Sequence, residues 1–176
     1  MGKIVSELFS SLDGVVSSPD KWHGRYFTPE MGEQTEEALA SAAVMLLGRN
    51  TYLEHAGFWP TAQGRMAELM NAIPKLVVTS TLGDVEWRNS SVLAVDEVAD
   101  RKAGLDGDIL VTGSVALVQS LLRAGLVDEL RLIVDPLVLG EGTRLFAGTG
   151  DLLLRLVDTR RYDSGAIALT YASAGG

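Results

Sequence analysis

The chain contains no cysteine. That absence removes disulfide staples, thiolate zinc sites, iron–sulfur clusters and cysteine nucleophiles together. It fits a reducing compartment, and a cytoplasmic location is expected. Histidine is nearly as scarce, with only His23 and His55 present. There is no His-Glu-x-x-His spacing and no other ligand cluster, so a metal site is not expected. A Gly-x-Ser-x-Gly elbow and a Walker loop are also missing, which argues against α/β-hydrolase and P-loop chemistry. No segment approaches the roughly 20 apolar residues that span a bilayer. The longest apolar run, Ala42 to Leu47, has the length of a strand. Basic residues are in deficit, 15 Lys+Arg against 23 Asp+Glu, giving a formal charge of −8. Nucleic acid is therefore not an expected partner, because neutralising phosphates takes clustered cations.

What is present suits a packed core. The 176 residues are 47% hydrophobic and 22% charged, which excludes disordered and fibrous chains. One domain over residues 1–176 is expected, since no repeat, linker or low-complexity tract divides them. Turn residues concentrate in Ser17 to Pro29 and in Phe58 to Gly64, which read as long loops of the kind that carry function.

Three short apolar runs stand out: Val44 to Leu47, Leu76 to Val78 and Ile109 to Val111. A strand that is apolar without alternation is buried on both faces, the mark of a parallel sheet covered by helices. Lys3 to Phe9 also reads as a strand. Helices are expected over Glu30 to Ala43, behind the Thr28-Pro29 cap, over Arg65 to Ala72, and over Val115 to Ala124 with Gly125 as its stop. A shorter helix is expected over Asp96 to Ala103. The last third changes to strands: one around Leu130 to Val134, then Leu152 to Tyr162 and Ala166 to Ala172, joined through Asp163-Ser164-Gly165. The expected fold is a three-layer α/β sandwich. Its sheet is mixed but mostly parallel, is flanked by helices, and ends in a C-terminal antiparallel hairpin.

Ligands of open α/β sheets bind beyond the carboxyl ends of the strands. The exits of the three runs are Gly48-Arg49-Asn50-Thr51-Tyr52, Thr79-Ser80-Thr81 and Thr112-Gly113-Ser114. Glycine allows close backbone approach, a helix start offers N–H groups to an anion, and Arg49 can clamp a phosphate. Each feature also has a plain structural explanation as a turn, a cap or a surface ion pair. Together the three exits point to a phosphate-bearing ligand.

Leu47 to Tyr52 resembles the Gly-Arg-x-Thr signature of dihydrofolate reductases. Ser11-Leu12-Asp13-Gly14 resembles the opening of the riboflavin-pathway pyrimidine reductases. Asp128-Glu129-Leu130 through Pro136, then Leu139 to Gly142 and Leu145-Phe146, is similar to the late part of that group. The motifs run in the same order from Ile4 to about Tyr171. The chain thus resembles the dihydrofolate-reductase-like superfamily, in the branch of stand-alone proteins similar to the riboflavin reductase C-terminal domain. The resemblance implies an eight-stranded sheet and an NADPH-dependent reduction, most like that of 5-amino-6-(5-phosphoribosylamino)uracil in riboflavin biosynthesis. A reductase of another small heterocycle or carbonyl, and a non-catalytic nucleotide-binding or interaction protein, are the alternatives. A homodimer is also implied.

By the same resemblance Gly48, Arg49, Asn50 and Thr51 line the cofactor phosphates, and Ser80 and Thr81 face the adenosine 2′-phosphate. Gly113, Ser114, Val115 and Ala116 offer amides to the pyrophosphate. The family has a Gly-Gly pair at this last position, and here the second glycine is Ser114. Its side chain either crowds the pyrophosphate or adds a hydrogen bond. Asp13 is the candidate catalytic acid, or else simply part of a turn. Trp22 and His23, with Tyr26 and Phe27, either stack on a planar substrate or pack the loop.

Overall fold

The structure, a computed structural model, describes residues 2–174. Eight strands form one sheet: β1 (Ile4–Ser11), β2 (Val44–Gly48), β3 (Lys75–Val78), β4 (Ser90–Leu93), β5 (Ile109–Thr112), β6 (Glu129–Asp135), β7 (Leu154–Arg161) and β8 (Ile167–Ser173). Their order across the sheet is β4-β3-β2-β5-β1-β6-β8-β7. Pairing is parallel from β4 to β6 and antiparallel over β6-β8-β7. Five helices cover it: α1 (Pro29–Ser41), α2 (Arg49–Phe58), α3 (Arg65–Ala72), α4 (Val98–Gly104) and α5 (Val115–Arg123). This is the expected three-layer α/β fold. None of these helices is long and apolar enough to cross a membrane.

The apolar runs are two-sided, as the parallel-sheet reading requires. In β2, Val44 and Leu46 belong to one buried cluster and Met45 and Leu47 to the other. The same division holds for Ile109 and Val111 against Leu110 in β5. One cluster is completed by Val98 of α4 and by Leu117, Val118, Leu121 and Leu122 of α5. The opposite cluster takes in Leu39 of α1, Tyr52 of α2 and Met70 of α3. Each helix therefore feeds one face of the sheet with side chains at helical spacing.

Two elements have no apolar signature. β4 is an edge strand whose Ser91 and Val92 are exposed, so nothing obliges it to be hydrophobic. α2 buries only Tyr52 among its own residues, and the stretch after Gly48 therefore reads as a loop when taken from sequence. The loop from Ser17 to Pro29 contains two short 3-10 turns, Pro19–Lys21 and His23–Arg25. α1 starts as the Thr28-Pro29 pair predicts, with the Thr28 hydroxyl accepting from the Met31 amide at 3.3 Å. Gly125 closes α5 at φ 66°, a left-handed conformation that glycine adopts without penalty.

Leu46 is fully buried in a central strand. Leu46→Ala is expected to cost about 2–5 kcal/mol in urea denaturation, because the packed sheet collapses only partly around the cavity. A loss within error of zero would mean that the two-faced core is loosely packed.

Candidate active site

The exits of β2 and β5 are tied to each other. β2 ends at Gly48 and turns at once into α2, while Gly113 and Ser114 lead from β5 into α5. Gly113 and Ser114 both adopt positive φ, at 65° and 54°. A left-handed serine carries a steric penalty, and here two hydrogen bonds fix it. The Ser114 hydroxyl accepts from the Gly48 amide at 2.9 Å, and the Ser114 amide donates to Thr51 Oγ1 at 3.1 Å. The serine at the family's second glycine position therefore clasps the two exits together.

The clasp sets two helix starts side by side. Neither α2 nor α5 has a side-chain cap, so their first-turn amides stay directed outward with the positive end of each helix dipole. They border an arm of about 550 Å³ lined by Gly48, Arg49, Asn50 and Thr51 on one side and by Ser114, Val115 and Ala116 on the other. Arg49 is exposed, and its guanidinium makes one hydrogen bond, to Asn50 Oδ1 at 3.4 Å. Two of the four expected pyrophosphate amides are already engaged: Gly113 N donates to the Glu7 carbonyl at 3.4 Å, and Ser114 N to Thr51. Val115 and Ala116 remain to meet an anion. Ser80 and Thr81 lie exposed in a turn built on Thr79 Oγ1 and are not part of the arm's wall.

Asn50, Thr51, Ser114 and Val115 are shared with a second, larger cleft of about 580 Å³. Its walls are largely apolar: Leu8 and Phe9 from β1, Leu39 from α1, Trp59, and Met66 and Met70 from α3. Gly32 leaves room for Phe27, since a β-carbon there would come within 3.1 Å of the phenyl ring. The polar groups are few, and Glu7 is prominent among them. It sits in the middle of β1, in register with Thr112 of β5 and Arg131 of β6. Burial pushes its carboxyl above the ordinary value, while Arg131 and the nearby Thr35 hydroxyl pull it down; that hydroxyl donates to the Met31 carbonyl at 3.0 Å. Arg131 is itself held by Glu129 at 2.6 Å. On the opposite wall, burial pushes His55 down to about 4, so its imidazole is neutral near pH 7, and its Nε2 is buried without a partner.

Of the residues expected on the substrate side, Phe27 lines the cleft, whereas Asp13, Trp22, His23 and Tyr26 do not. Asp13 lines neither cavity. Its carboxylate accepts from the Ser11 hydroxyl and from the Leu139 and Gly140 amides. These bonds, Ser11 first, hold it well below the usual carboxylate range. An acid kept ionised so firmly has no proton to give near neutrality, and it serves instead to pin the 139–140 loop. Trp22 is buried, with its indole N–H donating to the Ser17 carbonyl at 3.0 Å. His23 is buried as well, stacked on Phe9 at 3.7 Å and paired through Nδ1 with Asp135 at 2.8 Å. It backs the cleft wall without forming it.

Glu7, Thr35, Glu54 and His55 are the cleft groups that sequence reasoning passed over. The available signal was Glu7, the one ionisable residue of the strand Ile4–Ser11. Among the described residues no group of His, Asp and Glu is arranged to hold a metal.

The RibD C-terminal domain family matches residues 2–168. This chain belongs to that family. It is 27% identical over 186 residues to the uncharacterized protein YyaP of Bacillus subtilis (strain 168), covering 96% of this chain and 94% of that one. Its fold is similar to a pyrimidine reductase-like protein from Corynebacterium diphtheriae, with a TM-score of 0.72 at 11% identity over 99% of this chain and 93% of that one. It is similar in the same way to a dihydrofolate reductase from Enterococcus faecalis complexed with NADP(H), with a TM-score of 0.69 at 17% identity over 98% and 97%. The chain shares the fold of that dihydrofolate reductase.

Replacing Ser114 tests the clasp. Ser114→Ala keeps the left-handed strain and orphans the Gly48 amide, at a cost of about 1–3 kcal/mol. Ser114→Gly loses the same bond but relieves about 1 kcal/mol of strain. Thermal denaturation is expected to rank wild type above Gly above Ala, and equal loss in the two variants would remove strain from the account.

Proposed function

We propose that this protein is an NADPH-dependent reductase of a small heterocycle. The observation that carries the reading is the meeting of two uncapped helix starts in one arm that opens into an apolar cleft around Glu7. The arm suits a dinucleotide: free first-turn amides suit a pyrophosphate, and the unpaired face of the Arg49 guanidinium suits a further phosphate. Since Ser80 and Thr81 lie outside the arm's wall, the 2′-phosphate falls to Arg49.

When bound, the nicotinamide cofactor supplies a hydride for an electron-poor C=N or C=O carbon. The chain's own residues do the rest. Phe9, Leu39 and Trp59 exclude water from the cleft. Glu7, rather than Asp13, holds the proton that the reduced nitrogen or oxygen takes up, because burial keeps its acid form populated to higher pH. A ring the size of a pyrimidine, the class implied by the family resemblance, suits this apolar, planar-walled space.

Calorimetry with NADPH tests the foundation: saturable heat is expected, and none at millimolar cofactor would sink the reading. Arg49→Ala is expected to weaken NADPH by about 1–3 kcal/mol while leaving NADH nearly unchanged. Equal weakening of both would take the guanidinium away from the 2′-phosphate. Glu7→Gln is expected to lower kcat by about 100-fold or more with cofactor affinity kept. The acid form is the active one, so wild-type kcat is level at low pH and falls as pH rises through the raised Glu7 pKa. Glu7→Gln is expected to abolish that fall, and an unchanged profile would assign the proton to another group.

A further inference from the structure

We infer that the substrate of this cleft is a heterocycle that carries no phosphate. The inference rests on the reductase reading and narrows its substrate class.

Three observations converge. First, among the described residues no lysine or arginine lines the cleft. Its ionisable side chains are Glu7, Glu54 and His55, the last neutral near pH 7 because burial pushes it down to about 4. Second, two of the cations beside its walls are committed, while Lys21 and Arg25, in the loop that carries Pro19 and Phe27, do not line it. Arg131 beside Glu7 is held by Glu129 at 2.6 Å, and Arg65, next to the lining residue Met66, is held by Glu36 at 3.1 Å. Arg49 belongs to the other arm. Third, α1, whose residues Gly32, Thr35 and Leu39 form one wall, has most of its first-turn amides taken, Met31 and Gly32 both donating to the Thr28 carbonyl. Pro29 has no N–H, and Thr28 caps the Met31 amide. The uncapped starts of α2 and α5 border both cavities, and in the reductase reading the cofactor takes them up.

A phosphate ester in this cleft would leave water for an apolar space, meet no lining cation, and face the Glu54 carboxylate. Desolvation and like-charge repulsion both oppose it. A neutral ring meets neither obstacle. Its faces fit the aromatic and aliphatic walls, and its N–H or ring nitrogen finds the Glu7 carboxyl. The phosphoribosyl form of the expected uracil substrate is thus the wrong ionic form for this protein, and its phosphate-free counterpart is the right one.

The test uses three pairs of compounds, each with and without its phosphate: 5-amino-6-ribosylaminouracil, uridine and riboflavin. Binding to the full chain is measured by calorimetry, with and without saturating NADPH. At least one phosphate-free member is expected to bind, with every ester weaker by about tenfold or more. Glu54→Lys, at the exposed rim of the cleft, is expected to narrow that gap. An ester that binds wild type as tightly as its parent overturns the inference, as does the failure of every phosphate-free member at millimolar concentration. NADPH heat is read separately. Its absence sinks the reductase reading, whereas NADPH binding combined with preference for an ester sinks only this inference.

Discussion

The Ser114 clasp is the constraint on which the site depends. Helix starts attract anions only when they point at the same place, and two of them held apart would each be weak. Here one side chain serves both. Its hydroxyl satisfies the amide that ends β2, and its own amide reaches Thr51 in the first turn of α2. The exits of β2 and β5, joined side by side in the sheet, thereby become one rigid rim. A glycine at this position would have no hydroxyl to bridge the rim. The serine accepts left-handed strain in exchange for that connection.

The two cavities differ in their charged groups. The arm combines the first residues of α2 and α5 with Val78, Val95 and Leu117, and Arg49 is its one ionisable side chain. The larger cleft is apolar, with Glu7 projecting from the middle strand of the sheet. A carboxyl in such surroundings gains little solvation, so burial shifts its balance toward the neutral form. Asp13 shows the opposite behaviour a few residues away, where a hydroxyl and two amides stabilise its charge. The same chemical group is thus drawn toward its neutral form in one place and held as a charged structural clamp in the other.

Much of this was legible in the residues themselves. The apolar runs of β2, β3 and β5 marked a sheet covered on both faces, and Thr28-Pro29 marked the start of α1. The exits at Gly48 to Thr51 and at Gly113 to Ala116 marked the arm. What stayed hidden depended on distant partners. The contacts of Asp13 lie at Leu139 and Gly140, and that of His23 lies at Asp135. Glu7 was hidden for a different reason. A polar residue in a strand normally signals a solvent face, and only the helices packed over both sides of the sheet turn that position toward an enclosed cleft. α2 and β4 escaped notice because one buries a single side chain and the other lies at an edge.

The order of the strands has a bearing on the birth of the molecule. β1, made first, lies between β5 and β6, both made after residue 108. Its mouth-side turn is then fastened by the 139–144 segment, through Asp13 and the Val15–Arg144 bridge. A nascent chain therefore carries its opening strand unpaired for most of translation, and such long-range pairing closes slowly. The ligand cavity is consequently among the last features to exist, and a polypeptide interrupted before the 139–144 segment emerges has none of the fastening that completes it.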